Sequence, residues 1–209
     1  MSQVCPTVLA SDAPAFKRQM DLAAALSDRL QIDLMDGDFA EPRSVNPAQI
    51  WWPDNVTADI HLMYRRPAEQ LESLVSLKPH MVIIHAEADG DLAAVIEHLK
   101  KFGIKTGLGL LKTTQPEAQA ELIRLVDHVL IFSGDLGKFG GQADMQMLDK
   151  VQQIKAINPH AEIGWDGGAR VDNIRILAQA GIDVINVGGG IQRADDPKAA
   201  YANMVDEIG

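Results

Sequence analysis

The sequence predicts an α/β protein built as a (β/α)8 TIM barrel, and two observations lead to that fold class. Short apolar runs that are typical of buried strands alternate with amphipathic helical segments along the whole chain of 209 residues. Strands in such an alternation pair in parallel, and the helices between them cover the sheet. Eight strand–helix units fit into the chain without a linker, charge block or low-complexity segment. We therefore expect one closed barrel domain spanning residues 1–209.

Four strands and three helices are predicted in the first half of the chain. Asp12 and Pro14 mark the start of the first helix, because aspartate is a favoured N-cap and proline is tolerated in the first turn. Gly103 ends the third helix, since glycine readily adopts the left-handed conformation that follows a helix. Residues 42–52 are predicted to be an irregular loop with one helical turn. The predicted strands cover residues 4–9, 30–34, 57–62 and 80–85, and the helices cover residues 13–26, 67–77 and 91–102.

The second half of the chain repeats this alternation. The predicted strands cover residues 105–110, 126–132, 161–165 and 184–187. The predicted helices cover residues 116–125 and 145–156, a segment that ends at Gly181, and residues 197–208. Glycine-rich stretches follow the last three strands, and the stretch at 188–190 is predicted to be a turn.

A doubly wound open sheet is the alternative fold for this alternation. In dinucleotide-binding proteins of that class, the first strand–helix turn carries a glycine fingerprint. Residues 10–13, which form the first such turn here, contain no glycine. The closed barrel is therefore the favoured prediction.

Composition narrows the classes of partner and the cellular compartment. A net charge of −10 argues against nucleic acid and anionic membranes as main partners. An anionic substrate would therefore need a local binding device. The single Cys5 excludes an intramolecular disulfide bond, and no apolar run reaches the ~18 residues of a membrane span. We expect a cytoplasmic protein.

Polar side chains stand where the predicted strands end, which is where a barrel places its active site. Asp33 lies within an apolar run, and a buried carboxylate is costly unless it is paired or coordinates a metal. Gln31 is two residues away and so on the same face of that strand. His61 ends the third strand and Asp166 follows the seventh. Two carboxylates and an imidazole can hold one divalent ion, with Gln31 as a weak oxygen ligand, or the carboxylates can act as acid and base.

Three glycine clusters follow consecutive strands, at residues 140–141, 167–168 and 188–190. Backbone N–H groups in such turns bind phosphate without any net positive charge. The loops after strands seven and eight are the usual phosphate site of a barrel. The sequence therefore predicts a phosphorylated substrate.

An ordered set of motifs along nearly the whole chain resembles the ribulose-phosphate 3-epimerases. These motifs are PTVL at residues 6–9, DLMDG at 33–37, DIHLM at 59–63, HAE at 85–87, FGGQ at 139–142 and DGG at 166–168. The resemblance implies a barrel of the ribulose-phosphate-binding type. It also implies an epimerase that inverts C3 of D-ribulose 5-phosphate, giving D-xylulose 5-phosphate, or of a close relative such as allulose 6-phosphate.

The resemblance assigns roles to residues of this chain. It implies that Asp33 and Asp166 exchange protons with opposite faces of a cis-enediolate. It implies a divalent metal, Zn, Fe(II), Mn or Co, held by Asp33, His61 and Asp166, with Gln31 at the fourth ligand position. It further implies contacts with substrate or phosphate from Thr7, Met35, His61, Met63, Phe139, Gly140, Gly141, Gly167, Gly168, Gly188 and Gly189.

The chain departs from the family pattern in four places. Gln31 replaces a histidine ligand, and because an amide is a poorer donor, we expect weakened or abolished binding of Zn²⁺ or Fe²⁺. Thr7 replaces a serine, and Gly189 replaces the serine that follows strand eight. The loop at 133–142 is longer than usual and has no proline.

Two other functions are compatible with these residues. A related lyase or decarboxylase of sugar phosphates would carry a lysine at the position of Met35, which counts against that reading. A non-catalytic sugar-phosphate binder would not need both Asp33 and Asp166. We also expect a homo-oligomer, for which Trp51 and Trp52 provide a subunit contact unless they pack locally.

Overall fold

Eight parallel strands close into a barrel in the computed structural model of the chain, which describes residues 2–136 and 141–209. Each strand pairs with the next one in sequence, and β8 pairs with β1 to complete the closure. The strands are β1 Gln3–Val8, β2 Arg29–Met35, β3 Thr57–Met63, β4 Met81–His85, β5 Lys105–Leu110, β6 His128–Phe132, β7 Glu162–Asp166 and β8 Val184–Val187. The predicted fold class and all eight predicted strands are confirmed.

Helices surround the barrel. They are α1 Ala13–Leu26, α2 Leu71–Leu77, α3 Leu92–Lys101, α4 Ala120–Leu125, α5 Asp149–Ile157, α6 Ile174–Gln179, α7 Gly189–Gln192 and α8 Pro197–Ile208. As predicted, Asp12 caps α1 by accepting a hydrogen bond from the backbone N–H of Ala15. None of the helices in the described part of the chain is long and apolar enough to cross a membrane.

Three predicted helices begin with a turn of 3-10 helix rather than with α-helix. These turns cover Pro67–Gln70, Pro116–Gln119 and Met145–Leu148. A fourth turn, Pro47–Gln49, is the one predicted in the irregular loop after β2. The prediction of a plain turn at residues 188–190 is wrong, because Gly189 and Gly190 open the short helix α7.

The two faces of each strand have different surroundings. Leu30, Ile32 and Leu34 of β2 are fully buried in the hydrophobic core that includes residues of the surrounding helices. The alternate residues Arg29, Gln31 and Asp33 share the opposite face, because successive side chains of a strand point to opposite sides. The strand β2 therefore has apolar residues on the face that packs in the hydrophobic core and polar residues on the other face.

The tryptophan pair after β2 packs in two ways. The ring of Trp51 lies edge-on to Phe16 of α1, with the Lys17 ammonium 5.9 Å from the ring centroid, and 42% of Trp51 is exposed. Trp52 is partly buried against the hydrophobic core. Local packing therefore accounts for Trp52 and for part of Trp51.

A network of ion pairs lies at the amino-terminal ends of the strands. Arg29 of β2 donates to Asp59 of β3 at 2.8 Å and to both carboxylate oxygens of Glu162 of β7 at 2.9 and 2.8 Å. His80 bonds to Asp59 at 2.6 Å, and His128 bonds to Glu162 at 2.8 Å. The contact between Arg29 and Glu162 connects β2 with the non-adjacent strand β7, and the other contacts connect neighbouring strands, so the network stabilises the amino-terminal end of the barrel.

The pKa of the Glu162 carboxylate is lower than the ordinary value for glutamate. Burial alone would raise the pKa, but the hydrogen bonds from Arg29 and His128 outweigh it. A carboxylate whose pKa is lower in the folded state contributes stability above its ordinary pKa of about 4.3, and the contribution is lost as the pH falls toward the folded pKa.

We therefore expect Glu162→Gln to destabilise the protein at pH 7 by about 1–2 kcal/mol, since the half-exposed carboxylate is screened by water. The difference from the wild type should shrink below about pH 4.3. Urea unfolding between pH 7 and pH 3 measures it. Glu207→Gln, which removes the exposed partner of Arg175, is the matched control and should change stability by less than about 0.5 kcal/mol. An equal loss in both variants would contradict the structural role of Glu162.

Candidate active site

A cavity of about 210 Å³ opens at the carboxyl-terminal ends of the strands. Because all eight strands are parallel, these ends meet at one mouth of the barrel. Ten of the residues predicted from the sequence line this cavity: Thr7, Asp33, His61, Met63, Gly141, Asp166, Gly167, Gly168, Gly188 and Gly189. The structure therefore brings together residues from six different strands and loops that are far apart in the sequence.

The centre of the cavity is a cluster of two carboxylates, an imidazole and an amide. Asp33 of β2 lies beside His61 of β3 in the sheet register, and barrel closure brings Asp166 of β7 to them. Gln31 Nε2 donates to Asp33 Oδ1 at 2.8 Å and to Asp166 Oδ2 at 2.6 Å. His61 Nδ1 lies 3.1 Å from the same oxygen of Asp33 and 3.5 Å from that of Asp166. One oxygen of each carboxylate is therefore held by Gln31 and His61.

The environment of this cluster shifts the pKa of its members. Burial and the neighbouring charge of Asp166 raise the pKa of Asp33, although His61 and Gln31 act against that rise. Burial would lower the pKa of His61, but its hydrogen bonds to Asp166 and Asp33 raise it.

A chain of hydrogen bonds begins at Nε2 of His61, the ring nitrogen that does not face the carboxylates. His61 Nε2 lies 2.8 Å from His85 Nε2, and His85 Nδ1 lies 3.3 Å from Glu87 Oε2. Glu87 accepts hydrogen bonds from the backbone N–H of Leu111 at 3.0 Å and from the hydroxyl of Thr114. His85 therefore supports the His61 ring through a hydrogen bond between the two Nε2 atoms.

Burial determines which nitrogen atoms of His61 and His85 carry a proton. Burial lowers the pKa of His85 to about 4, although the hydrogen bond with Glu87 acts against it. A neutral His85 that donates Nδ1–H to Glu87 must accept at Nε2. His61 therefore donates from Nε2 to His85 and from Nδ1 to the carboxylates, and the orientation of its ring is fixed on both sides.

The cluster also fits a divalent metal ion. The ligand atoms of Asp33, His61 and Asp166 all lie within 4.8 Å of one another. Carboxylate and imidazole donors together suit Zn²⁺, Fe²⁺, Mn²⁺ and Co²⁺. Gln31 faces the carboxylates with its nitrogen, and its Oε1 is buried without a hydrogen-bond partner within the described residues. Gln31 can offer an oxygen to a metal only if its side-chain amide rotates so that Oε1 and Nε2 exchange places.

Glycine is required where the loops after β6 and β7 touch. Gly167 and Gly168 have positive φ values of 108° and 71°. A Cβ at Gly167 would collide with the backbone of Gly134, and a Cβ at Gly168 would collide with the backbone of Ala143. This close approach leaves backbone groups rather than side chains facing the cavity.

The glycine side of the cavity also carries positive charge that sequence reasoning missed. Arg170 follows the glycines after β7, and Arg193 follows the short helix α7; both line the cavity. Two guanidinium groups beside backbone amides favour an anion, in a protein whose net charge is −10. Their positions three residues after Gly167 and four residues after Gly189 were a sequence signal that could have revealed them.

The predicted methionines occupy two different positions. Met63 lines the cavity, as does Phe132. Met35 packs with Met63 and Phe39 in a small buried cluster and lines a neighbouring cavity of about 250 Å³. Phe139 and Gly140, which were also predicted to contact substrate, lie outside the described residues.

Comparison with known proteins places this geometry in a family. The model of the ribulose-phosphate 3 epimerase family matches residues 3–192. A ribulose-phosphate 3-epimerase of Helicobacter pylori is 31% identical over 97% of this chain and 96% of its own length. The enzyme of Mycobacterium leprae is 30% identical over 96% of this chain and 92% of its own.

Solved structures agree on the fold. The 3-hexulose-6-phosphate synthase of Salmonella typhimurium superposes with a TM-score of 0.71 over 99% of this chain and 98% of its own, at 15% sequence identity. An identity this low supports the barrel fold alone. The family match and the relatives at about 30% identity extend over nearly the whole chain, and the two aspartates, the histidine and the glycine loops converge on one cavity. The chain belongs to the ribulose-phosphate 3-epimerase family and is an isomerase of the epimerase type.

Proposed function

We propose that the protein inverts C3 of D-ribulose 5-phosphate, giving D-xylulose 5-phosphate, with Asp33 and Asp166 as the two proton-transfer groups. The observation that carries this proposal is that both carboxylates face one cavity and are held by the same two side chains. Inversion at a carbon requires a proton to leave one face and another to arrive on the opposite face. Carboxylates from β2 and β7 are suited to this task because they come from different sides of the barrel.

The hydrogen bonds leave one oxygen of each carboxylate for chemistry. Gln31 and His61 engage Oδ1 of Asp33 and Oδ2 of Asp166. In our proposal, Oδ2 of Asp33 removes the C3 proton and Oδ1 of Asp166 delivers a proton to the opposite face, and the roles exchange in the reverse direction. The raised pKa of Asp33 supports this assignment, because a base whose pKa approaches the working pH both accepts and returns a proton readily.

A metal at Asp33, His61 and Asp166 would act as a Lewis acid that stabilises the negative charge of the cis-enediolate. The remaining contributions come from the chain itself. Met63 and Phe132 supply an apolar wall that excludes water from the reacting carbon. His61, fixed by His85, holds the carboxylates in place.

The glycine loops are proposed to hold the phosphate. The backbone at Gly167, Gly168, Gly188 and Gly189 lines the cavity together with Arg170 and Arg193. A phosphate bound there would orient the sugar so that its reacting carbon reaches the carboxylates. Binding energy from this remote group is then used for orientation at the reacting centre.

Loss of either carboxylate should abolish turnover without releasing the phosphate. We expect Asp33→Asn and Asp166→Asn each to lower kcat for epimerisation by about three orders of magnitude or more, because one of the two faces then has no acid–base group and inversion needs both. Affinity for inorganic phosphate should stay within about twofold. The formation of D-xylulose 5-phosphate from D-ribulose 5-phosphate, followed by NMR, measures the loss.

The matched control is Asp38→Asn, which changes an aspartate that is largely exposed in the turn after β2. Its rate of D-xylulose 5-phosphate formation should equal that of the wild type. A single variant at Asp33 or Asp166 that keeps its activity would refute the two-carboxylate scheme. A wild type that exchanges no pentulose or hexulose phosphate, with or without added divalent metal, would refute the proposed function.

Gln31 should weaken the binding of zinc. We expect Gln31→His to tighten Zn²⁺ binding about tenfold or more, because an imidazole nitrogen is a better donor than an amide oxygen and needs no reversal of the amide. Calorimetric titration of the metal-free protein measures the affinity. Identical Zn²⁺ affinities in the variant and the wild type would mean that Gln31 does not lie at the metal position.

A further inference from the structure

Asn186 is a buried polar residue of the cavity to which the proposed mechanism gives no role. It lies in β8, in register with Asp166 of β7 on one side and Cys5 of β1 on the other. Only 3% of its surface is exposed, and its side chain lines the cavity that contains Asp33 and Asp166. Its Nδ2 atom is buried and has no hydrogen-bond partner within the described residues.

An unpaired buried amide is costly to the folded protein. Leaving such a group without a partner destabilises a protein by about 1–3 kcal/mol. The neighbours Val184, Ile185 and Val187 show that this strand is otherwise apolar. A valine at position 186 would therefore remove the cost, and the presence of an amide in a ligand cavity points to a partner that arrives with the ligand.

Two other buried atoms also lack partners in the described part of the chain, and their surroundings differ. Gln31 Oε1 belongs to a side chain that already bridges the two carboxylates. His128 Nε2 lies against Gly164, in a ring whose Nδ1 binds Glu162 at the amino-terminal end of the barrel. Asn186 alone among the three lines the cavity with both proposed proton-transfer groups.

The position of Asn186 in the cavity determines which part of the substrate its side chain can contact. It is one strand away from Asp166 and two residues before Gly188, so it lies between the acid–base pair and the glycine loops. A ketose 5-phosphate with C3 at the carboxylates and its phosphate at the glycine loops presents C4 between these two points.

We infer that the carboxamide of Asn186 forms a hydrogen bond with the C4 hydroxyl group of the substrate and so selects substrates that carry this hydroxyl. This inference rests on the proposed function, because it uses C3 and the phosphate as the two fixed points of the substrate. Asn186 then positions the carbon next to the reacting centre. A site built to hydrogen-bond a hydroxyl group discriminates strongly against an analogue that lacks it.

The test is a cycle of two enzymes and two substrates. Wild type and Asn186→Val are assayed with D-ribulose 5-phosphate and with its 4-deoxy analogue, and kcat/KM is measured by C3-proton exchange. We expect the wild type to prefer the natural substrate by about 5- to 100-fold. The variant should lose about the same factor on the natural substrate and show a much smaller preference between the two. The comparison between enzymes cancels the intrinsic difference in C3 acidity of the two substrates.

Stability and phosphate binding separate this role from a structural one. Because Nδ2 has no hydrogen-bond partner among the described residues, Asn186→Val should not lower the melting temperature by more than a few degrees, and affinity for inorganic phosphate should remain within about twofold. The matched control is Asn158→Val, since the Nδ2 of Asn158 donates to the carbonyls of Ile123 and Val126. That variant should lose stability and keep its preference between the two substrates. Asn186→Leu, which is close to asparagine in shape and has no hydrogen-bonding group, replaces the valine variant if that one fails to fold.

Either of two results would overturn this inference and leave the proposed function intact. One is a wild type that exchanges D-ribulose 5-phosphate but shows no preference over the 4-deoxy analogue. The other is a variant at Asn186 that retains the full preference of the wild type. Absence of C3 exchange in the wild type with every ketose phosphate would instead overturn the proposed function, and this inference with it.

Discussion

The site depends on keeping two carboxylates together inside the mouth of an apolar barrel. Asp33 and Asp166 repel each other, and burial strengthens that repulsion. Gln31 and His61 make the arrangement possible because each of them contacts one oxygen of both carboxylates. Closure of the sheet is therefore a requirement of the site, since only a closed barrel brings β2 and β7 this close to the same side chains.

Support for this cluster extends outward through the barrel wall. His85 and Glu87 fix the ring of His61, and Glu87 is in turn held by the loop after β5. At the opposite end, Arg29 and Glu162 join β2 to β7, the same two strands that carry the aspartates. One end of this strand pair thus contributes stability and the other end carries the candidate chemistry, a division that is general for barrels of this kind.

Buried polar atoms without a hydrogen-bond partner in the described residues mark positions at which the side chain present lowers the stability of the folded protein. Within the described residues, Nδ2 of Asn186 in the cavity wall and Oε1 of Gln31 beside the carboxylates have no hydrogen-bond partner, whereas most buried polar groups in proteins are paired. Such sites are expected where a ligand or metal completes the hydrogen bonding, because function and maximal stability require different side chains. Each of the two atoms therefore has its own measurable consequence, one for the substrate and one for the metal.

The sequence by itself determined the barrel and most of its mouth. Alternation of apolar strands with helices predicted the closed sheet, and Asp33, His61, Asp166 and the glycines were recognisable because strand ends and turns are local features. Only the tertiary structure decided that the Gln31 amide bridges both aspartates, that His85 bonds to His61 and that Asn186 Nδ2 has no hydrogen-bond partner in the part of the chain that the structure describes. These contacts join strands that are far apart in the chain. They depend on sheet register and on side-chain orientation within a packed interior, which local residue patterns do not encode.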